Sequence, residues 1–427
     1  EELDAENLRS YLLAYLPEYM VPQYYVWQES FRLTANGKID RRALPLPELN
    51  TEEIYQAPAS EIEEQMVVLW SEVLKLPADQ ISVTQGFFAL GGHSLRATIL
   101  INRVNQFFGK SLPLKELFQY SSIRTFCERI VMHDSTNPRR VKDLVLLSEE
   151  SEEQSNIFFI HDGSGDIHSY LELSRYIQNY SCWGIRSGTL DSYAPSNQSW
   201  EEIAANYVTK IKAVQSEGPY NIAGWSLGGL MALEIVRQLE TTGEQVEMFF
   251  MIDSVLRHDD ETHEFSQEFS LESEKSIIEE FLGIDKVTLQ NAGDDIEELW
   301  DFAVSHLDTM NTEEVRGNIP DQYRKVIPDV ENLEIPDVIR YINTIRSLIR
   351  SEAAWDHASI TSIDTRLHYL GAADTDFDAE LFSGYFNNKD IRIETLEGDH
   401  FSIMRKPGIQ EVAIFIDAYV PEKAGSL

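Results

Sequence analysis

The sequence predicts a multidomain chain in which a small helical bundle precedes a larger α/β domain built on a parallel sheet. Three observations carry this. From residue 156 onward, short apolar runs alternate with longer helical patterns, at 157–160, 167–180, 182–185, 200–214, 220–223, 227–239 and 246–252. Between about residues 52 and 133 the pattern is helical throughout. Gly224-Trp225-Ser226-Leu227-Gly228 stands where the run Asn221-Ile222-Ala223 gives way to a helix. That is a G-x-S-x-G turn: its glycines let strand and helix pack closely, the serine Oγ stands clear of the sheet, and the Leu227 N–H can face a developing oxyanion.

Composition bounds the partners. At 427 residues there is room for two or three cores. Lys plus Arg is 35 against 72 Asp plus Glu, a net charge of −37, so nucleic acid and anionic membrane are poor partners. No window approaches a membrane span, and no secretory signal is visible. The two cysteines, Cys127 and Cys182, fall in different predicted domains, which suggests a reducing cytoplasm. The chain starts at Glu1 rather than Met and in mid-pattern, so a piece of a longer protein is expected.

In order along the chain, residues 6–13 read as a helix, and 24–27 and 30–34 as strands, with Asn36-Gly37 as the turn after the second. Leu16-Pro17-Glu18-Tyr19-Met20-Val21-Pro22 and Asn36-Gly37-Lys38-Ile39-Asp40-Arg41 resemble the last two core motifs of an adenylation domain from a nonribosomal peptide synthetase. The resemblance implies a small α+β remnant at 1–47 and gives Lys38 the role of contacting the substrate carboxylate and phosphate. The ATP-binding body is absent from the chain, so adenylation activity is not expected. Leu44-Pro45-Leu46-Pro47 resembles that family's stiff linker to a carrier domain.

The expected carrier domain covers 52–133. Ser60-Glu61-Ile62-Glu63 is a capping box, and Ile62, Met66, Leu69, Trp70 and Val73 recur at helical spacing. Further helical patterns run from about Ser94 to Phe108, at 114–118 and at 123–132, the rhythm of a four-helix bundle. Ser94 sits at a helix start behind two glycines, a place that suits a capping serine or a phosphate ester. The run Phe87-Phe88-Ala89-Leu90-Gly91-Gly92-His93-Ser94-Leu95 resembles the peptidyl carrier protein signature. That implies covalent 4′-phosphopantetheine on Ser94, placed there by a phosphopantetheinyl transferase. The signature has Asp two residues before the first Phe; Gln85 stands here. Residues 134–153 are polar and read as a tether, with 145–147 as an edge strand of the next domain.

In the domain at 154–427, three loops at strand ends bear reactive groups. Ser226 follows one strand, Asp253 a second, and Glu397-Gly398-Asp399-His400-Phe401 a third. A serine hydroxyl needs a base, and the base needs a carboxylate to fix its tautomer. Asp253 also suits a helix cap and His400 a solvated loop, but they stand in the Ser…Asp…His order of the α/β-hydrolases. Together G-W-S-L-G-G, M-I-D-S and G-D-H-F-S-I-M resemble the type I thioesterase that ends a nonribosomal peptide synthetase. The resemblance selects Asp253 as the acid; other α/β-hydrolases carry it one strand later, where Asp374 or Asp376 would serve. His161-Asp162-Gly163-Ser164-Gly165 matches the family's oxyanion loop, which makes Gly163 and Leu227 the donors. Asp162 replaces the usual Pro there, and its carboxylate must point away from the oxyanion.

About 110 residues separate Asp253 from the next core strand, expected at 365–370, and helical patterns at 276–282 and 296–307 lie among them. They are expected to form a helical lid, about 256–355, over the active site. Residues 256–334 hold 22 acidic against 6 basic side chains, most of them expected on a solvated face. The expected function is release of a peptidyl thioester through an acyl-serine intermediate, by hydrolysis or macrocyclisation, with no metal and with upstream condensation and adenylation domains as partners. The alternatives are a carrier and docking module with an inactive hydrolase, and an esterase of free small esters.

Overall fold

The computed structural model describes Leu8 and residues 55–419, apart from 93, 109, 111, 133–140, 149–150, 152–153, 257–266, 308–309, 332, 361 and 388–390. The expected adenylation remnant with Lys38 therefore lies outside the described residues, Leu8 excepted. The chain divides into two compact units, Glu1–Thr136 and Asn137–Leu427.

In the first unit, α1 (Glu61–Leu74) starts at Ser60, whose Oγ accepts from Glu63 N (3.3 Å). The reciprocal half of the expected capping box is shifted by one residue, since Glu63 Oε2 accepts from Ala59 N (2.6 Å). Arg124 Nε holds the other carboxylate oxygen (3.2 Å) and so turns it away from Ser60. Helices α2 (Ser94–Phe108), α3 (Lys115–Gln119) and α4 (Ile123–Met132) complete four helices, and α1 packs on both α2 and α4. Their shared core is apolar: Met66, Trp70, Phe87, Leu100, Val104, Leu117 and Phe126 are all fully buried. Of the two adjacent phenylalanines, Phe87 meets Trp70 edge-on (5.2 Å) and Phe88 stacks on Phe118 (4.9 Å).

The second unit is built on a seven-stranded sheet of order β1-β3-β2-β4-β5-β6-β7. The strands are β1 (Leu144–Leu146), β2 (Ser155–Ile160), β3 (Tyr180–Ile185), β4 (Tyr220–Trp225), β5 (Val246–Ile252), β6 (Leu367–Ala372) and β7 (Ile391–Leu396). β1 is the antiparallel edge, as its place after the tether suggests; every other pairing is parallel. Parallel strands are covered on both faces, which is why β3, β4 and β6 are buried along their whole length. On one face Phe158, Ile160, Ile222, Phe249 and Met251 pack against α6 (Trp200–Val214) and α7 (Leu227–Thr241). On the other, Phe159 stacks on Tyr170 of α5 (His168–Leu173). There too Phe250 meets Phe415 of α14 (Gly408–Asp417).

Helix α5 is shorter than the pattern at 167–180 predicts. The chain must reach the foot of β3, and the Asp417 carboxylate takes the Gln178 and Asn179 amides there (2.8 and 3.1 Å). β6 lies two residues later than expected. The long insertion is helical, as expected, with α8 (Leu271–Leu282), α9 (Ile296–Ser305), α10 (Thr312–Gly317), α11 (Asp321–Val326) and α12 (Ile335–Ala353), before the short α13 (Ala379–Ser383). α12 is tied to the loop after β3: Asn343 Nδ2 donates to Tyr193 O (2.6 Å), Ser196 N to Ser347 Oγ (2.8 Å), and Arg350 Nη1 to Asn197 O (2.8 Å). Its Tyr341 hydroxyl donates to the buried Asp166 carboxylate (2.5 Å). One fully buried carboxylate, Glu274 of α8, joins three helices: it accepts from Arg346 Nη2 of α12 (2.6 Å) and from Trp300 Nε1 of α9 (2.9 Å). Removing one member of a buried pair strands the other charge. Arg346→Met is therefore expected to cost about 3 kcal/mol and Glu274→Gln less, read as a lowered unfolding temperature by calorimetry.

Candidate active site

Every candidate group in the second unit lies just beyond the carboxyl end of a parallel strand, and β2 is the strand from which the order runs both ways, the switch point where such sheets bind ligands. The ladder continues for one more bond at each exit. His161 N donates to Ile185 O (2.9 Å), Ser226 N to Ile252 O (2.9 Å) and Asp253 N to Leu370 O (2.7 Å). Ser226 and Asp253 are thus pinned by the sheet itself.

Ser226 sits at φ 57°, ψ −130°, a backbone region that side chains rarely adopt. The turn is tight because α7 folds directly back on the strands. A Cβ at Gly224 would lie 2.1 Å from Gly228 O, and one at Gly228 would lie 2.3 Å from His161 O. Only glycine fits at either position. Asp253 also has positive φ (46°) and is buried.

The structure brings Ser226, Asp253 and His400 together. His400 Nε2 lies 3.0 Å from Ser226 Oγ, and its Nδ1 lies 2.6 Å from Asp253 Oδ2. With Nδ1–H donating to the carboxylate, the Nε2 lone pair is left to accept from the serine hydroxyl. Asp253 Oδ1 accepts from Ala372 N (2.7 Å). Burial pushes the Asp253 carboxyl up, but hydrogen bonds from His400, the Ala372 amide and Thr375 outweigh it and hold the group below the usual carboxylate range. It stays ionised beside the His400 imidazole. Asp374 and Asp376 are exposed, on the loop after β6.

Leu227 opens α7, so its N–H is one of the four a helix cannot satisfy internally. No backbone acceptor takes the Gly163 N–H among the described residues, and a Cβ at Gly163 would lie 3.9 Å from Leu227 Cβ. Gly163 and Leu227 therefore neighbour each other, beside Ser226. The Asp162 carboxylate is turned into its own loop, where it accepts from Ser164 N (2.8 Å), Ser164 Oγ (2.6 Å) and Ser169 Oγ (2.7 Å). Burial raises its pKa, against those three bonds.

Several supporting residues escape sequence reasoning. The Trp225 indole stacks on the His400 imidazole (5.0 Å, 26°), and Phe401 meets the same ring edge-on (5.1 Å, 80°). Asp399 caps the turn that presents His400, accepting from Phe401 N and Ser402 N (2.9 Å each) while Ser402 Oγ accepts from Asp399 N (2.7 Å). The Asp-x-x-Ser spacing is the one signal that announces this turn. His161 is buried, with Nδ1–H donating to Asp162 O (2.8 Å) and Nε2 accepting from Tyr207 Oη (2.7 Å).

In the first unit, Ser94 is the first residue of the fifteen-residue helix α2, whose first turn holds no acidic residue. His93 lies outside the described residues. The first amides of a helix have no partner within it and its start is electropositive, a setting that fits a phosphate ester.

A family model matches in each of the two units. Residues 155–327 match the thioesterase domain family, and residues 64–130 match the family described as a phosphopantetheine attachment site. The chain is 33% identical over 259 residues to a dimodular nonribosomal peptide synthase of Bacillus subtilis (strain 168), and 35% identical over 255 residues to tyrocidine synthase 3 of Brevibacillus parabrevis. The chain belongs with the carrier and thioesterase domains of nonribosomal peptide synthetases. Those alignments use 60% and 59% of this chain but only 11% and 4% of the relatives, so it matches a small part of each. The crystal structure of a four-domain nonribosomal peptide synthetase bound to AMP and glycine aligns with 99% of this chain and 31% of its own, at 26% identity and a TM-score of 0.49. Among the described residues no helix is long and apolar enough to cross a membrane, and no group of side chains could hold a metal.

The buried His161 sets a pH dependence for the synthetase's thioesterase unit. Burial lowers its pKa from 6.5 to about 4, so as pH falls the unfolded chain takes up the proton first. Stability is full above the unfolded value and is lost as pH falls towards the folded one. Between pH 7.5 and 5 the loss from this group is about 2 kcal/mol. Denaturant midpoints across that range should fall for the parent, and more shallowly for His161→Gln.

Proposed function

We propose that this part of the synthetase ends peptide synthesis by moving a peptidyl thioester from the carrier at Ser94 onto Ser226 and then releasing it. The observation that carries this reading is the continuous hydrogen-bond chain Ser226–His400–Asp253, in a chain that also holds a phosphopantetheine attachment domain. Bound to Ser94, 4′-phosphopantetheine supplies a terminal thiol that holds the acyl group as a thioester. Ser226 Oγ attacks the thioester carbonyl while His400 Nε2 takes its proton. The Gly163 and Leu227 N–H groups receive the oxyanion, and Asp253 stabilises the imidazolium. His400 then returns the proton to the departing sulfur. In the second half, His400 activates water or a nucleophile of the peptide itself, so acid or ring leaves Ser226. Residues 256–355 serve as the lid that shapes the acyl pocket. The partners under this reading are the upstream condensation and adenylation domains and a phosphopantetheinyl transferase. The two cysteines, both buried and free, suit a reducing cytoplasm.

The two serines should separate cleanly. Ser94→Ala is expected to abolish phosphopantetheine attachment but leave Ser226 open to a fluorophosphonate; Ser226→Ala should load and fail to discharge. Intact-protein mass over time after loading reads both. A Ser226→Ala carrier that discharges as fast as the parent removes Ser226 from the mechanism. Labelling of Ser226 that carrier-bound thioester does not slow would point instead to an esterase of free esters, and no labelling at all to an inactive hydrolase.

Asp253→Asn keeps the shape but offers His400 the wrong partner, and discharge is expected to slow about 10⁴-fold. Asp374→Asn and Asp376→Asn should discharge at the parent's rate. An active Asp253→Asn beside an inactive variant at either other position reverses the assignment.

A further inference from the structure

We infer that Tyr170 is a positioning residue for acyl transfer, its hydroxyl fixing the distance between the nucleophile turn and the oxyanion loop; this rests on the roles proposed for Ser226, Gly163 and Leu227. The β2–β4 pairing ends at Ile160↔Gly224. Alternate residues of a parallel strand point their amides to opposite neighbours. Ser226 N goes to Ile252 O of β5, so Trp225 N points towards β2. It finds no backbone partner there. β2 has already turned away, with His161 N bonded to Ile185 O of β3. The first turn of α7 fills the gap, since a Cβ at Gly228 would lie 2.5 Å from Ile160 O and 2.3 Å from His161 O.

One buried carbonyl and one buried amide are thus stranded at the split, and a single hydroxyl answers both. Tyr170 Oη donates to Ile160 O (2.7 Å) and accepts from Trp225 N (2.8 Å). The side chain is fully buried, and its ring is stacked on Phe159 (4.9 Å). Ile160 precedes the loop that bears Gly163, and Tyr170 follows it on α5; Trp225 precedes Ser226. The same oxygen therefore closes the oxyanion loop upon itself and ties it to the nucleophile. Tyr170→Phe leaves both backbone groups without this partner and lets the two donor segments drift apart, a displacement that costs transition-state binding rather than reagent binding.

The test is capture of Ser226 by an alkyl fluorophosphonate, whose transition state puts an oxygen where the carbonyl oxygen goes and which needs no knowledge of the peptide. Tyr170→Phe is expected to lower the capture rate constant kinact about 10- to 100-fold with the reagent constant KI within about threefold of the parent. Capture at the parent's kinact with only a lowered melting temperature would show the bond to be structural alone and overturn the inference. So would kinact and KI moving together. If Tyr170→Phe does not fold, 2,3-difluorotyrosine at position 170 keeps ring and hydroxyl while weakening the hydroxyl as an acceptor. It should lower kinact at least about twofold at unchanged KI, and an unchanged kinact overturns the inference. Failure of the parent itself to be labelled on Ser226 overturns the proposed function first, and this inference with it; a labelled parent with an equally fast variant sinks this inference alone.

Discussion

Backbone against backbone at the nucleophile turn is the constraint on which the thioesterase unit depends. Ser226 is held at φ 57°, ψ −130°, a conformation that costs about 1–3 kcal/mol and persists only where the surroundings over-determine it. Those surroundings are specific. Gly224 and Gly228 bring the first turn of α7 within contact of its own strand and of β2, and Ser226 N is pinned to Ile252 O. At the same place the β2–β4 pairing ends, the loop that bears Gly163 turns away, and the Tyr170 hydroxyl bridges the split. The strain at one serine and the cleft beside it are one feature.

Polar groups near the site are stiffened in pairs rather than left to solvent. Asp162, the residue that sequence reasoning marked as awkward, is absorbed by Ser164 and Ser169 and becomes the brace of the loop that bears Gly163. Asp399 and Ser402 do the same for the turn that carries His400. Asp253 is oriented by the Ala372 amide on one oxygen and meets His400 with the other. The first two devices are local and short in sequence, so those loops arrive at the site already shaped, whereas Asp253 is fixed by residues 119 and 147 positions away.

The long insertion follows a different logic. Its longest helix, α12, buries Asn343, Thr344, Ser347 and Ser351 and uses Asn343, Ser347 and Arg350 to satisfy the backbone of the loop after β3. This part of the proposed lid is fastened to the body by hydrogen bonds, while Glu274 gathers α8 and α9 onto it. Ile335, Val338, Ile339, Ile342, Ile345 and Leu348 recur at helical spacing, and the polar side chains share the face they bury.

Sequence alone determined the alternation of strands and helices from residue 156, the G-x-S-x-G turn and the edge strand before the domain, because each is written in residues a few positions apart. Four helices in the first unit were legible for the same reason, with α4 matching at both ends. The chain order of Ser226, Asp253 and His400 was legible too, but not their meeting: Asp253 and His400 are 147 residues apart and touch only because β5, β6 and β7 lie side by side. Choosing Asp253 over Asp374 or Asp376 needed a resemblance in sequence and a hydrogen bond in the structure. Tertiary structure alone decided that Tyr170 faces Ile160 and Trp225, that Trp225 covers His400, and that Glu63 reaches Ala59 rather than Ser60. Those contacts depend on where strands diverge and which neighbour claims a carboxylate, and no spacing along the chain encodes either.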